Sequence, residues 1–317
     1  MTDGPALIDL ALGLGVLAAA GCALLPRTRF ALATGFLVLG VVISLVWLRL
    51  GSVDVALAEA ALGGGILGAV LVWLAVRSRP GAASDASDSR GRADGRVRTG
   101  LGVLVGVVLS VLGALVWARI YPQIARWQDP VAQQMPDTGV DHGVTAVLLA
   151  FRAYDTLLET AVLLMAGVAV MAVGRDGGLH QARIPVHPLS STLVTMARVG
   201  APVLLLAGLW LLFAGSSESG GAFQSGSVLC AMLILLRVAG VPLTVTTRRW
   251  MRPALAVGVV VFILAGLVGP VTGQPWLAWD PQWAGTAILV VEVFLTVGIT
   301  AGLYMVYLGL DNPQGAP

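Results

Sequence analysis

The residues able to do chemistry in this chain are a few ionisable side chains embedded in apolar runs. The stretch AFRAYDTLLETAVLL places Arg152, Asp155 and Glu159 at i, i+3 and i+7, which a helix sets on one face beside Tyr154. Asp155 and Glu159 are four residues apart, so their carboxylates stack one turn from each other. Two like charges that close in a poor dielectric can share a proton or hold a cation between them, and Arg152 can neutralise one of them. The alternative is a static ion-pair lock between helices.

Other acids are more isolated. Glu59 follows Asp54 in GSVDVALAEAALGGGILGAVL, where no local partner is offered. It is expected to meet a basic or polar group of another helix and to take part in a proton or cation path. Asp54 lies near the start of the same run, where it could cap the helix. Glu292, in ILVVEVFLTVGITAGLYMVYLG, has no charged neighbour within about three helical turns. It reads as a helix or subunit contact, either hydrogen-bonded to a neighbour or paired with Arg237 of LILLRVAG. Arg237 could instead snorkel to the membrane edge.

No enzymatic chemistry is expected. His142, His180 and His187 are far apart and lack metal-ligand spacing. Cys22 and Cys230 each sit in an apolar run and read as small buried hydrophobes. There is no phosphate-binding loop and no nucleophile elbow. Catalytic residues, metal and cofactors are all expected to be absent.

The elements that must position these acids are membrane helices. The 317 residues are 57% hydrophobic and 11% charged, with a mean hydropathy of +0.89. Soluble domains carry roughly a quarter charged residues, so a soluble enzyme, a disordered protein and a nucleic-acid binder are excluded. The composition predicts an all-α polytopic membrane protein. About nine runs are long enough to span a bilayer, at roughly 6–25, 30–50, 53–76, 99–121, 143–173, 192–214, 225–246, 253–272 and 284–309. Met1–Pro5 lacks a basic signal-peptide region, so the first span reads as retained.

All 19 basic residues are arginine; lysine is absent. With the N-terminus outside, the cytoplasmic loops hold Arg27, Arg29, Arg77, Arg79, Arg90, Arg92, Arg96, Arg98, Arg175, Arg183, Arg248, Arg249 and Arg252. The opposite boundaries hold only Arg49, Arg119 and Arg126. The positive-inside rule therefore predicts an outer N-terminus and a cytoplasmic C-terminus. Residues 78–98, rich in Gly, Ala, Ser, Asp and Arg, read as a flexible cytoplasmic linker. Residues 174–191 form a second cytoplasmic break. The predicted organisation is a three-helix module at 1–77, a two-helix module at 99–173, a four-helix module at 192–310 and a tail at 311–317. No internal repeat is evident, unlike many secondary transporters.

Three stretches resemble parts of the Mrp-type multisubunit cation/proton antiporter. GSVDVALAEAALGGGILGAVL at 51–71 is similar to the MbhD module in the C-terminal part of the MrpA subunit. VTAVLLAFRAYDTLLETAVLLMAGVAV at 144–170 is similar to the MbhE module, with its FRxxDTLxE run. Residues 190–310 resemble the MrpB subunit and its PGGGFQGG-like loop. That loop departs from the pattern: Ser219 stands at the proline position and Ala222 at the third glycine, while Gly220, Gly221 and Phe223 remain. A histidine common just before the loop appears here as Ser216 or Ser217.

The resemblance implies that Asp155 and Glu159 are functional acids and supports Glu59 at the module's acidic position. It also implies that protons move through lysines of separate 14-helix antiporter-like chains, which a lysine-free chain cannot be. The expected role is a multi-pass subunit of the bacterial cell membrane. Its expected partners are an antiporter-like chain, small C-, E-, F- and G-like subunits, lipid, and Na⁺ or H⁺. Glu59, Arg152, Asp155 and Glu159 would line an ion path. Asp54, Arg237, Glu292, Gly220, Gly221 and Phe223 would make helix or subunit contacts. Two alternatives remain: the membrane arm of a redox-driven pump of the membrane-bound hydrogenase type, and a non-conducting adaptor.

Overall fold

The computed structural model of the chain describes residues 3–26, 28–77, 128–173, 191–241 and 244–311, and most of 104–119. These residues are helical and contain no strand. Much of the predicted 99–121 span, the linker 78–98, the break 174–191 with His180 and His187, and nearly all of the 311–317 tail lie outside them. Among the described residues seven helices are long and apolar enough to cross a membrane. Two shorter apolar helices cover Gly106–Val116 and Ala222–Val238. The chain is thus an all-α, multi-pass membrane protein.

The contacts divide the chain into two compact units, residues 76–133 and the remainder. The smaller unit holds the apolar helix Gly106–Val116 and most of α5, Gln128–Gln134. The larger opens with α1 (Asp3–Leu24) and α2 (Arg29–Arg49), which pack on each other. Thr28 caps α2 by accepting the Ala31 N–H at 3.3 Å. Arg49, an exception to the arginine asymmetry, pairs with Asp9 at 2.7 Å.

The third predicted span is three consecutive pieces: α3 (Val53–Ala58), a π-helix (Glu59–Leu67) and α4 (Gly68–Arg77). The wide turn coincides with Gly63-Gly64-Gly65. Gly64 lies against Gly40 of α2 with main chain facing main chain, and a Cβ on Gly40 would stand 2.8 Å from the Gly64 nitrogen. The glycines therefore bring about the close helix approach that small residues permit in membranes.

The fifth predicted span is not one helix. α6 (Gly143–Ala146) runs into a second π-helix (Val147–Phe151), and the chain then breaks at Arg152 (φ −128°, ψ 34°) before α7 (Ala153–Val173). The backbone bonds skip at this point, since Arg152 N–H donates to the Val147 carbonyl at 2.8 Å. Two neighbouring carbonyls take side-chain donors: the Thr156 hydroxyl bonds the Leu148 carbonyl at 2.6 Å, and the Trp279 indole bonds the Leu149 carbonyl at 2.6 Å. Such repair is what irregular backbone needs at membrane depth.

The last predicted module contains α8 (Ser191–Ala214), α9 (Ala222–Val238), α10 (Thr244–Gly266), α11 (Val268–Val271) and α12 (Ala284–Asp311). α12 is the centre of the larger unit. Its Ile288, Val291, Leu295 and Ile299 recur at helical spacing and are each 1% exposed. They pack with Leu149 and Leu157 from the broken span and Phe262 of α10.

Candidate functional site

The loop between α8 and α9 gathers groups from three separate stretches of sequence. Its main chain at Ser219–Ala222 is compact: Gly220 and Gly221 are buried, as is Ala222. Gly221 has φ +111° and ψ −172°, a conformation accessible in practice only to glycine. Gly221 N–H donates back to the Leu211 carbonyl at 2.8 Å. This turn aims two nearby amides at two different carboxylates.

The first is Asp54, at the start of α3. Its Oδ1 accepts the Gly220 N–H at 3.0 Å and its Oδ2 accepts the Ser219 hydroxyl at 3.2 Å. Gln224 Nε2 donates to the Asp54 carbonyl at 3.4 Å. His142 Nε2 stands 3.5 Å from Oδ2. The Asp54 carboxylate therefore serves the loop rather than the end of its own helix. Ser219, at the proline position of the resembled pattern, supplies a donor that proline lacks.

The second carboxylate is Glu292 of α12. It is 3% exposed, accepts the Ala222 N–H and lies against Gly221. Ala222 retains the N–H that a glycine would offer there. Phe223 packs against the core cluster around Val291. The segment before α6 also docks on the loop. Asp141 and His142 N–H groups donate to the Ser216 carbonyl at 2.9 and 3.1 Å, and the Thr145 hydroxyl donates to the Gly215 carbonyl.

The FRxxDTLxE acids lie elsewhere. Arg152 stands in the helix break, so the three-residue face at i, i+3, i+7 is not one continuous helix. Arg152 nevertheless pairs with Asp155. Asp155 and Glu159 keep their one-turn stacking on α7, but they point outward: Glu159 is exposed and Asp155 half-exposed. They border an outward apolar stripe of Tyr154, Leu158, Val162 and Met165. A charged side chain facing lipid is strongly disfavoured, so this face fits contact with another chain better than contact with acyl tails.

Glu59 opens the first π-helix. Its carboxylate folds over Gly63 of the same helix, where a side chain would collide with it. Among the described residues no basic group of another helix meets it. Arg237 and Glu292 do not meet either. Glu292 lies at Gly221–Ala222, where the first turn of α9 starts, and Arg237 stands 15 residues beyond Ala222, about 22 Å along the helix. No group of three or more His, Cys, Asp or Glu arranged to hold a metal occurs among the described residues. His142 is a member of the site that the sequence does not single out. It is 88 positions from Asp54 in sequence, and only the fold joins them.

Comparisons with known proteins agree with this architecture. Residues 14–80 match the MbhD family, a component of MBH. Residues 192–309 match the family described as a domain related to the MnhB subunit of Na⁺/H⁺ antiporter. No curated protein matches the chain. A chain in the structure of the Mrp complex from Dietzia sp. DQ12-45-1b superposes with a TM-score of 0.76 at 23% identity, over 97% of this chain. The present chain spans 35% of the length of that one. The chain thus joins a part similar to MbhD, at residues 14–80, to a part similar to MnhB, at residues 192–309.

Proposed function

We propose that the chain is a non-enzymatic membrane subunit of an Mrp-type monovalent cation/proton antiporter in the bacterial cell membrane. Asp155, Glu159 and Glu59 contribute to a Na⁺ or H⁺ path beside a separate antiporter-like chain, with Arg152 tuning the pair. The observation that carries this reading is the outward face of α7, where two stacked carboxylates border an apolar stripe. A partner chain covering that face converts exposed acids into a lined path. Small C-, E-, F- and G-like subunits are the further expected partners. The three-, two- and four-helix modules at 1–77, 99–173 and 192–310 are the units of assembly, with the N-terminus outside.

The test is antiport in everted vesicles holding the whole complex. Asp155→Asn with Glu159→Gln should abolish cation-dependent proton exchange while the subunits still co-purify. Full antiport by that assembled double variant would leave the chain an adaptor. The match to the MbhD family favours one second reading, a redox-driven pump with the same membrane part. Co-purification of an iron–sulfur subunit, rather than antiporter-type small subunits, would select it.

A further inference from the structure

Three oxygens on two adjoining helices are sealed from solvent without a hydrogen-bond partner: Oε2 of Glu292, Oγ1 of Thr296 and Oγ of Ser225. Glu292 and Thr296 are each 3% exposed and Ser225 is 0% exposed. Glu292 and Thr296 stand one turn apart on α12. Ser225 stands on α9 one turn beyond Gly221, which touches the Glu292 carboxylate. The next residue, Gly226, packs against the Thr296 main chain and Ile299, and its carbonyl accepts the Thr300 hydroxyl at 3.3 Å. The two helices thus bring one carboxylate and two hydroxyls to the same level of their interface.

A buried polar group without a partner costs about 1–3 kcal/mol, and more when charged. Three on one helix interface form a set that a ligand would complete. The Ala222 N–H serves only part of the Glu292 carboxylate, and Arg237 is too distant to neutralise it. The unsatisfied set is all oxygen, with a single negative charge. Hard oxygen donors suit hard cations, and one carboxylate in a poor dielectric balances one positive charge. We propose that Glu292, Ser225 and Thr296 form an internal binding site for a small monovalent cation of the Na⁺ type, separate from the outward Asp155–Glu159 face.

The experiment is equilibrium binding of radiolabelled Na⁺ to the purified, assembled complex at fixed pH. Glu292→Gln should remove one bound Na⁺ per chain. Ser225→Ala and Thr296→Val should each weaken the affinity about three- to tenfold, the loss of one neutral contact. Asp155→Asn with Glu159→Gln should leave this bound ion in place, so failure of the outer path and failure of the inner site are distinguishable. Unchanged Na⁺ binding by Glu292→Gln overturns the proposal, including the case where that variant only loses a titrating proton. If Glu292→Gln does not assemble, the two hydroxyl variants decide, and unchanged affinity in both overturns it.

Discussion

The outward face of α7 and the inner turn between α8 and α9 both carry acids, but they treat them in opposite ways. On α7, Asp155 and Glu159 stack on a surface, and Arg152 pairs with Asp155. At the inner turn, Asp54 and Glu292 are buried and each accepts a main-chain N–H from the same few residues. The first arrangement leaves both acids on the outer face of the fold. The second is complete apart from the oxygens of the Glu292 set. The contrast separates acids held inside the fold from acids left on its outer face.

That separation can be broken by comparing stability with transport, since inner substitutions should change the first and outer ones the second. The largest loss of stability is expected from Gly221→Val. The backbone conformation alone disfavours a non-glycine residue by roughly 1–3 kcal/mol, and the added side chain meets the Glu292 carboxylate. Thermal unfolding in detergent should show a clear drop in midpoint. Next is Asp54→Ala, which strands the buried Gly220 N–H, with an expected loss of about 1–3 kcal/mol; the same assay reads it. The smallest effect belongs to Arg152→Gln. An exposed ion pair contributes no more than about 1 kcal/mol, so the midpoint should hardly move, while vesicle antiport should fall. A large destabilisation by Arg152→Gln, or none by Gly221→Val, would erase the contrast.

Much of the architecture is legible in sequence, because apolar runs of bilayer length are a physical necessity in lipid. The central place of α12 follows from its long apolar repeat. The breaks are less legible. Three glycines announce an anomaly at 63–65, yet nothing in GVTAVLLAFRAYD marks the π-turn at Val147–Phe151 or the kink at Arg152. Those depend on Thr156 and on Trp279, which is 130 residues from Leu149. Asp54 looks like a helix cap because its true donors lie 165 and 166 positions away. The outward direction of Asp155 and Glu159 is also invisible locally, since it depends on which side α12 occupies.

Two of the inner turn's donors, at Gly220 and Ala222, are main-chain amides, and that has a consequence for how the site tolerates change. Side-chain chemistry at residues 219–222 can drift, as Ser219 and Ala222 do against the PGGGF pattern, while the amides stay in place. Only added bulk or a proline at a donating position deletes the contact. A scan that trims side chains to alanine would therefore pass over the two amides that tether the acids of α3 and α12 to one turn. Their importance is written in the space kept empty around them.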